Sequence, residues 1–336
     1  MKRIIISRTD RIGDVILTSA TFAPLRKAFP KASIRILVRP ELVPLFTNTP
    51  GIEAIPCPPG AGAKGVHCNR IVQWRDYFRN HPADCIVFLH PDNDLQFAAA
   101  IARIPRRLGY RKQLGQVALN ESIPYTRHLG KKHEAACNFD LLQKIDCPPP
   151  ELIEPYLHVE DYPKDLGEIL RKPYAVFHPA AFGAKPRWSA SKYAELGEKL
   201  VHEFGWNLIL IGSEPSTATT EAFRTRGIPE SKWEDRGGKD SLLETASLLK
   251  GAAVVVSRDS GPAHLAAAVG APLACLMGQC DPIHSPTRWA PIGPRARTLV
   301  SDLPPEKGES RQDRWERCFE AISADQVLTA IREVTR

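Results

Sequence analysis

The residue types most suggestive of chemistry in this 336-residue chain surround Asp259, where a run of β-branched residues ends in Asp-Ser-Gly-Pro. A helix of small residues follows, which predicts a buried parallel strand leading through a tight turn to a helix N-terminus. Free N–H groups and the positive end of the helix dipole favour phosphate there. A carboxylate beside the phosphate would hold sugar hydroxyls, so the turn predicts a nucleotide-sugar site. The alternative interpretation is that Asp259 caps the helix and His264 is simply buried.

A second candidate is Asp14, which follows Gly13 in the turn after the first predicted strand. Glycine permits a tight turn there, and Asp14 then lies at the carboxyl end of the strand and near the start of a helix. An Asp in this position is often only a helix cap, worth roughly 1 kcal/mol. Because Asp10 is available as a cap, we favour catalysis over capping for Asp14. The turn has no GxGxxG pattern, so a dinucleotide site is not indicated.

Two further loops carry weaker signals. Lys185 and Arg187 follow small residues in a loop after a predicted strand, and their charges suit phosphate. Both are equally consistent with surface cations beside a packed tryptophan. Gly212 and Glu214 follow the next predicted strand, where an acidic side chain can bind ribose hydroxyls. An exposed loop glutamate explains Glu214 about as well.

The elements that must position these residues alternate along the first half of the chain, as expected for βαβ units and a parallel sheet. Two amphipathic stretches, Val15–Phe29 and Leu95–Arg103, predict helices. The stretch Pro58–His81 contains Gly60, Gly62 and Gly65 and predicts an irregular excursion. The predicted strands of this half are Ile4–Ser7, Ser33–Val38, Ile52–Cys57 and Cys85–Leu89.

A proline-rich stretch from Cys147 to Pro163 is the predicted linker, after which a second βα series begins. The sequence therefore predicts two doubly wound α/β domains in tandem, with ligands bound in a cleft at the carboxyl ends of their strands. The predicted strands of the second series are Tyr174–His178, Asn207–Ile211, Ala252–Ser257 and Pro272–Met277. The predicted helices are Lys192–Phe204, Thr217–Arg226, Ser241–Leu249, Pro262–Val269 and Ala324–Val334.

The positive charge is concentrated in the first half. Residues 1–160 contain 22 Lys and Arg against 15 Asp and Glu, whereas the remaining residues contain 23 of each. A solvated basic face is the common explanation, and an anionic partner such as an acidic sugar, a phospholipid surface or nucleic acid is the sharper one. No nucleic-acid-binding module is recognisable, so we expect no nucleic-acid partner. Much of the excess lies at Arg103, Arg106, Arg107, Arg111, Lys112, Arg127, Lys131 and Lys132.

Other function classes are disfavoured by composition. The eight cysteines lack metal-ligand spacing, which predicts free thiols in a reducing compartment and no metal site. No apolar run approaches the ~20 residues that a membrane span needs. The basic N-terminus has a short apolar core without a cleavage site, so it predicts a strand rather than a signal peptide. We therefore expect a cytoplasmic protein.

Five segments together resemble glycosyltransferase family 9, the ADP-heptose lipopolysaccharide heptosyltransferases, and the resemblance extends over nearly the whole chain. The first and third of these segments are the most specific in combination. They are Arg11–Thr18, His178–Ala180 with Lys185–Trp188, Asp259–His264 with the alanines that follow, Gly278–Pro282, and Arg317–Ile322.

The resemblance implies a GT-B architecture: α/β, with two Rossmann-like doubly wound domains facing a central cleft. Residues 1–160 would bind the acceptor and residues 161–320 the nucleotide-sugar donor. Residues 321–336 would form a C-terminal helix, which the sequence leaves free to pack back on the first domain. The expected donor-binding residues are Lys185, Arg187, Gly212, Glu214, Leu242, Asp259, Ser260, Gly261 and His264. The expected acceptor-binding residues are Arg11, Thr18, Arg107 and Arg111.

The implied reaction is an inverting, metal-independent transfer of heptose from ADP-heptose, without a cofactor. Asp14 would be the general base for the acceptor hydroxyl, whose proton moves late in the reaction. Lys185, Arg187 and the N–H groups near Ser260 would stabilise the departing ADP. The acceptor would be an anionic glycolipid or glycan of the lipopolysaccharide inner core. That partner suits a basic first domain and peripheral contact with the cytoplasmic face of the inner membrane.

The chain departs from the family pattern on the donor side. Pro186 stands between Lys185 and Arg187, where the family often has its lysine two places before the tryptophan, and Gln279-Cys280 replaces the usual threonine before Asp281. These changes leave open which cation contacts phosphate and whether the sugar is heptose or a relative. Two other functions remain as alternatives: a nucleotide-sugar epimerase of GT-B fold, and a non-catalytic nucleotide-sugar-binding module.

Overall fold

The computed structural model describes residues 1–60, 65–161, 169, 173–179, 188–278 and 282–336. The chain divides into two compact units, Met1–His158 and Val159–Arg336. Each unit is built on a parallel sheet with helices in the connections, and the two sheets have the same strand order when the strands of each unit are counted from its own first strand. The expected fold class, α/β with two Rossmann-like doubly wound domains, is therefore confirmed.

The described residues of the first unit form a six-stranded parallel sheet in the order β3-β2-β1-β4-β5-β6. The central strands are continuous apolar runs because helices cover both faces of a parallel sheet, and every residue of β4 is buried. The four strands predicted in this half are confirmed. The strand bounds are β1 Arg3–Ser7, β2 Ser33–Val38, β3 Glu53–Pro56, β4 Cys85–Phe88, β5 Arg106–Arg111 and β6 Glu121–Pro124.

The predicted helix Val15–Phe29 is interrupted. A turn of 3₁₀ helix at Ser19–Thr21 separates α1 from α2, and Pro24 explains the break because it has no N–H to donate to the carbonyl of Ala20 in that turn. The helix predicted at Leu95–Arg103 is confirmed, beginning after Asp92, whose side chain accepts from the Leu95 N–H. The helices described in this unit are α1 Ile12–Thr18, α2 Phe22–Ala28, α3 Cys68–Asn80, α4 Asn93–Ile101 and α5 Glu134–Leu142.

The prediction of an irregular excursion at Pro58–His81 is wrong over α3. Ile71, Trp74 and Phe78 recur at helical spacing on the buried face of that helix and join the core beside Phe88. The glycines just before this segment obscure the signal, and residues 61–64 lie outside the described ranges.

The described residues of the second unit form another six-stranded parallel sheet, in the order β12-β11-β10-β7-β8-β9. The four strands predicted here are confirmed, and they include the buried run that leads to Asp259. The edge strands β9 and β12 are additional to the predicted set. The strand bounds are β7 Tyr174–His178, β8 Asn207–Leu210, β9 Trp233–Asp235, β10 Val254–Arg258, β11 Leu273–Gly278 and β12 Ala296–Ser301.

The predicted helices of the second half are also confirmed, and the final one has a defined place. Val327, Leu328 and Ile331 on α12 are buried in the core of the second unit, so the apolar face of this helix packs on its own sheet. The helices described in this unit are α6 Ala190–Phe204, α7 Thr217–Thr225, α8 Leu242–Lys250, α9 Gly261–Ala268, α10 Pro286–Trp289, α11 Arg311–Ala321 and α12 Ala324–Val334.

Candidate active site

In the first unit, polar residues gather at the point where the strand order reverses. Strands β1 and β4 are neighbours in the sheet, and the chain leaves them in opposite directions across it. Ligands of doubly wound sheets bind at this place, beyond the carboxyl ends of the strands. Arg8 and Asp10 follow β1, His90 follows β4, and Asp14 lies in the first turn of α1.

Arg8 is the centre of this cluster although it is only 1% exposed. Its Nε donates to Asp10 Oδ1 at 2.8 Å and its Nη1 to Asn138 Oδ1 at 3.0 Å. Its Nη2 donates to Glu134 Oε1 at 3.0 Å and also to Asp14 Oδ1. The charge-assisted bonds offset the cost of burying the guanidinium and hold the Asp14 carboxylate in one orientation.

A second buried guanidinium completes the network. Arg127 donates to Glu134, to the Tyr110 hydroxyl at 2.9 Å and to Asn138 Oδ1 at 3.1 Å. At the solvent side of the cluster, the Nδ1 of His90 lies 3.2 Å from Asp10 Oδ2. The cluster therefore contains three carboxylates and two buried guanidiniums, so the formal net charge of these five groups is negative.

The cluster gives its two aspartates different pKa values. Burial raises the pKa of Asp14 to about 6, and the negative charge of Asp10 adds to that effect more than Arg8 offsets it. Burial also raises the pKa of Asp10, but the charges of Arg8 and His90 outweigh it and hold that pKa well below its usual range. Asp14 is thus the carboxylate of this pair best suited to accept a proton near neutral pH.

The capping interpretation of Asp14 does not fit the geometry. Helix α1 begins at Ile12, its N-cap residue is Arg11, and no side chain caps it. The Asp14 carboxylate instead bonds Arg8, and its side chain remains 13% exposed at the carboxyl edge of the sheet. A reacting hydroxyl can therefore reach it from solvent.

The four residues expected to bind the acceptor lie in different environments. Arg11 is exposed beside Asp14, and Arg111 is exposed at the carboxyl end of β5, on the same edge of the sheet. Arg107 lies lower in the strand, where its guanidinium donates to the carbonyls of Ala118 and Ile104. These bonds hold part of the Arg107 guanidinium on the backbone.

The Thr18 side chain lies between two helices of the first unit. Its side chain is fully buried, its hydroxyl donates to the Asp14 carbonyl at 3.0 Å, and it accepts from Asn138 Nδ2 at 3.4 Å. It therefore links α1 to α5 and is not available to an acceptor.

The second unit carries its polar residues at the equivalent point, between β7 and β10. Helix α9 starts at Gly261 with Ser260 as N-cap and no side-chain cap. The N–H groups of Ala263 and His264 bond the Ser260 carbonyl, and Pro262 has none. Within the described residues, this leaves the N–H groups of Ser260 and Gly261 as the backbone donors that the turn offers to an anion.

Asp259 contacts His264 instead of capping α9. The Asp259 Oδ1 lies 3.5 Å from Nε2 of His264, which is almost fully buried, while Asp259 is 26% exposed. His264 is in turn packed edge-on against the Trp289 ring. His264 therefore contacts the Asp259 carboxylate from the protein interior, and the exposed part of that carboxylate remains open to a ligand.

Two residues that sequence reasoning did not assign stand beside this turn. The Nδ1 of His178 lies 3.3 Å from the hydroxyls of both Ser257 and Ser260. Burial and the charge of Arg258 lower the pKa of His178 to about 4, so the imidazole is neutral at pH 7. Arg258 itself is buried at the end of β10. The sequence signal that could have identified Arg258 is its position, since it is a cation directly before the Asp259 turn.

The other expected donor residues are only partly placed. Gly212 follows β8 and its carbonyl accepts from the Gly238 N–H at 2.9 Å, while Glu214 is exposed in the same loop. Leu242 is half-buried at the start of α8, which Ser241 and Glu244 cap reciprocally. All three lie at the carboxyl edge of the second sheet. Lys185, Arg187 and residues 279–281 lie outside the described residues.

Two features are absent from the ranges that the structure describes. Within them, no three His, Cys, Asp or Glu side chains are grouped so as to hold a metal ion. None of the helices in those ranges has both the length and the apolar character that a membrane span requires.

Two Rossmann-like units, each with polar groups at its switch point, are the framework of enzymes that act on nucleotide-linked substrates. Residues 88–318 match glycosyltransferase family 9 (heptosyltransferase), so the chain belongs to that family and is a glycosyltransferase. Asp14 lies before the matched segment, and its assignment depends on the geometry described above.

Curated relatives agree with the family, and a solved structure shares the fold. Lipooligosaccharide heptosyltransferase 2 of Haemophilus influenzae is 26% identical over 98% of this chain and 99% of its own length. Lipopolysaccharide heptosyltransferase 2 of Salmonella typhimurium is 27% identical over 88% of this chain and 87% of its own. The structure of Escherichia coli ADP-heptose LPS heptosyltransferase II shares the fold, with a TM-score of 0.76 and 23% identity over 100% of this chain and 98% of that one. The expected fold of two Rossmann-like α/β domains is therefore shared with a heptosyltransferase of known structure.

Proposed function

We propose that this enzyme transfers a heptose from ADP-heptose to an anionic lipopolysaccharide inner-core acceptor, with inversion and without a metal ion. The proposal is supported by family membership and by the names of its relatives, which are lipopolysaccharide or lipooligosaccharide heptosyltransferases. The observation that carries the mechanism is the Asp14 carboxylate, fixed by Arg8 and raised in pKa to about 6.

In the proposed reaction, Asp14 accepts the proton of the acceptor hydroxyl as its oxygen bonds to the anomeric carbon. The bond from that carbon to the diphosphate breaks on the opposite face, and ADP leaves with the electron pair. An Asp with a pKa of about 6 in place of 3.8 binds a proton on the order of a hundredfold more tightly. Asp14 is thus a stronger base than an ordinary aspartate while remaining mostly ionised at pH 7.

The second unit would hold the donor. The N–H groups of Ser260 and Gly261 and the dipole of α9 would stabilise the charge that develops on ADP, assisted by Lys185 and Arg187. Asp259, supported by His264, would accept bonds from the sugar hydroxyls. Glu214 and Leu242 would border the adenosine. These groups supply the charge stabilisation for which other transferases use a metal ion.

The acceptor proposal follows from the excess positive charge of the first unit, where Arg11 and Arg111 lie exposed on the same edge as Asp14. Carboxylates and phosphates of an inner-core glycolipid would be attracted to that edge. We place the enzyme in the cytoplasm, with peripheral contact to the inner membrane where such an acceptor is assembled.

The test is the substitution Asp14→Asn, with Asp76→Asn on the exposed face of α3 as the matched control. Asp14→Asn is expected to fold, to bind ADP-heptose and to lose transfer, because an amide cannot take the proton. Binding is measured by thermal shift, where ADP-heptose at ~100 times its Kd adds ~2.7 kcal/mol of stability. Transfer by Asp14→Asn at the rate of the control variant would refute the assignment of the base. Stabilisation by UDP-sugars and not by ADP-heptose would refute the donor.

A further inference from the structure

Exposed apolar side chains stand among cations at the carboxyl edge of the first sheet. Leu114 and Val117 are 62% and 71% exposed on the turn after β5, and Leu129 is 45% exposed after β6. A single exposed leucine is ordinary, but a group of them beside a charged edge marks an interaction site. We propose that this surface docks the enzyme on an anionic lipid bilayer. The docking surface consists of Leu114, Val117, Leu129, Arg111, Lys112, Lys131 and Lys132.

The two loops that carry these residues form one surface. Strands β5 and β6 are paired in parallel with Arg111 opposite Pro124, so both loops leave the sheet at the same edge. The Lys112 Nζ lies 3.8 Å from the centre of the Tyr125 ring, and that ring stacks on His128 at 6.0 Å. Lys112 of the first loop is thereby joined to the turn that presents Leu129 in the second.

The apolar turn is fixed from its inner side. Gly115 is buried, and its N–H donates to Asn93 Oδ1 at 2.7 Å. A Cβ at Gly115 would lie 2.8 Å from the Asn93 Cα, so only glycine fits this approach. With the inner face of the turn held against α4, Leu114 and Val117 are left on the outer face. Asn93 lies three residues after His90, which places the docking surface beside the Asp14 cluster.

The charge of the docking surface suits anionic headgroups. The docking surface contains four cations, and the one acid between residues 111 and 132 is Glu121. Glu121 bonds Arg106 at 2.6 Å, at the opposite end of the strands. Lys132 is partly compensated by Asp140 at 2.5 Å. Near an anionic bilayer, each remaining cation strengthens binding roughly fivefold, and apolar side chains that enter the interface add to it.

The biological sense of this surface rests on the proposed function, since a glycolipid acceptor is presented at a bilayer. Docking by this edge would bring the Asp14 cluster to the headgroup level, where the acceptor sugars lie. Attachment to a bilayer does not itself require transfer, however, so it is measured without donor or acceptor.

The experiment is co-sedimentation of the full chain with phosphatidylcholine vesicles, with and without phosphatidylglycerol, in low and high salt. Wild type should bind only the vesicles that contain phosphatidylglycerol, and should be released near 1 M salt, where the screening length is ~3 Å. The double variant Leu114→Ser/Val117→Ser should bind at least tenfold more weakly, and Lys112→Gln roughly fivefold. The matched control is Leu152→Ser/Val300→Ser, two exposed apolar residues outside the docking surface, which should bind as wild type does.

Three results would overturn the proposal. They are absence of binding to the anionic vesicles, equal losses in the Leu114/Val117 and control variants, and binding that appears only when the vesicles contain the acceptor glycolipid. The last result would make this surface an acceptor subsite and not a bilayer contact. If wild type binds the vesicles but transfers no heptose to a delipidated acceptor, the proposed function fails while the docking surface stands.

Discussion

The pH dependence of transfer is expected to report the Asp14 cluster directly. If Asp14 must be ionised, kcat/KM falls on the acid side with a limb at its pKa, about 6. The negative charge of Asp10 is the largest electrostatic cause of that raised value after burial. Replacing Asp10 by Asn removes this charge and also leaves more of the Arg8 charge to Asp14. Both effects lower the pKa of Asp14, so the acid limb should move to lower pH.

The size of the change in the pH dependence of kcat/KM is bounded by two pKa values of Asp14, the raised one and the ordinary one. With a pKa of about 6, Asp14 is ~91% ionised at pH 7 and ~9% at pH 5, so wild-type kcat/KM should fall about tenfold between them. With the ordinary value of 3.8, more than ~90% would remain ionised at pH 5. The ratio of kcat/KM at pH 5 to that at pH 7 should therefore rise in Asp10→Asn, by at most about ninefold.

The assay is initial-rate transfer from ADP-heptose to a delipidated acceptor at both pH values, with Asp76→Asn as the control for substrate titration. The reasoning is refuted if wild-type kcat/KM does not fall between pH 7 and pH 5. It is refuted equally if Asp10→Asn, shown by circular dichroism to be folded, keeps the wild-type limb.

Two further predictions concern stability and the donor. Because the pKa of Asp14 is raised in the folded protein, ionisation of Asp14 opposes folding above pH 3.8, its unfolded pKa, and does so fully above about pH 6. The free energy of unfolding of Asp14→Asn, measured in urea at pH 7, should therefore exceed that of wild type by up to about 3 kcal/mol. A loss of stability in Asp14→Asn would contradict this prediction. In calorimetry, Asp259→Asn should bind ADP-heptose roughly tenfold more weakly and ADP as tightly as wild type does, because Asp259 would contact the sugar. Equal losses for the two ligands would place Asp259 elsewhere in the donor site.

The parts of the fold that sequence patterns predicted are those buried on both sides. The central strands β1, β4, β7 and β10 are continuous apolar runs, and their pattern does not depend on distant residues. The strands absent from the prediction are β5, which starts and ends in arginines, and the edge strands β6, β9 and β12, whose residues are partly exposed. A strand of that kind is defined by its neighbour in the sheet, which a local pattern does not contain.

The same distinction applies to the site. Asp14 and Asp259 were predicted because each lies in the connection that leaves a central strand, and the topology of a parallel sheet brings such turns to one edge. The partners of Arg8 were not, since Glu134 and Asn138 lie more than 120 positions away in sequence. Thr18 was assigned to the acceptor because it occurs in the opening motif, whereas its hydroxyl is used to join two helices. A motif gives residue types, and only packing decides which of them face a ligand.

The two units have the same strand order but different polar residues at their switch points. At the switch point of the first sheet, three carboxylates and two guanidiniums form a cluster that includes Asp14, whose pKa is raised to about 6. At the equivalent point of the second sheet, a neutral His178, a buried Arg258 and a helix N-terminus produce a place for an anion. Because the strand order is the same in both, the difference arises from the loop residues that follow β1 and β10. Changes of donor or acceptor within this framework should therefore be sought in those loops, and the sheets that present them should tolerate such changes.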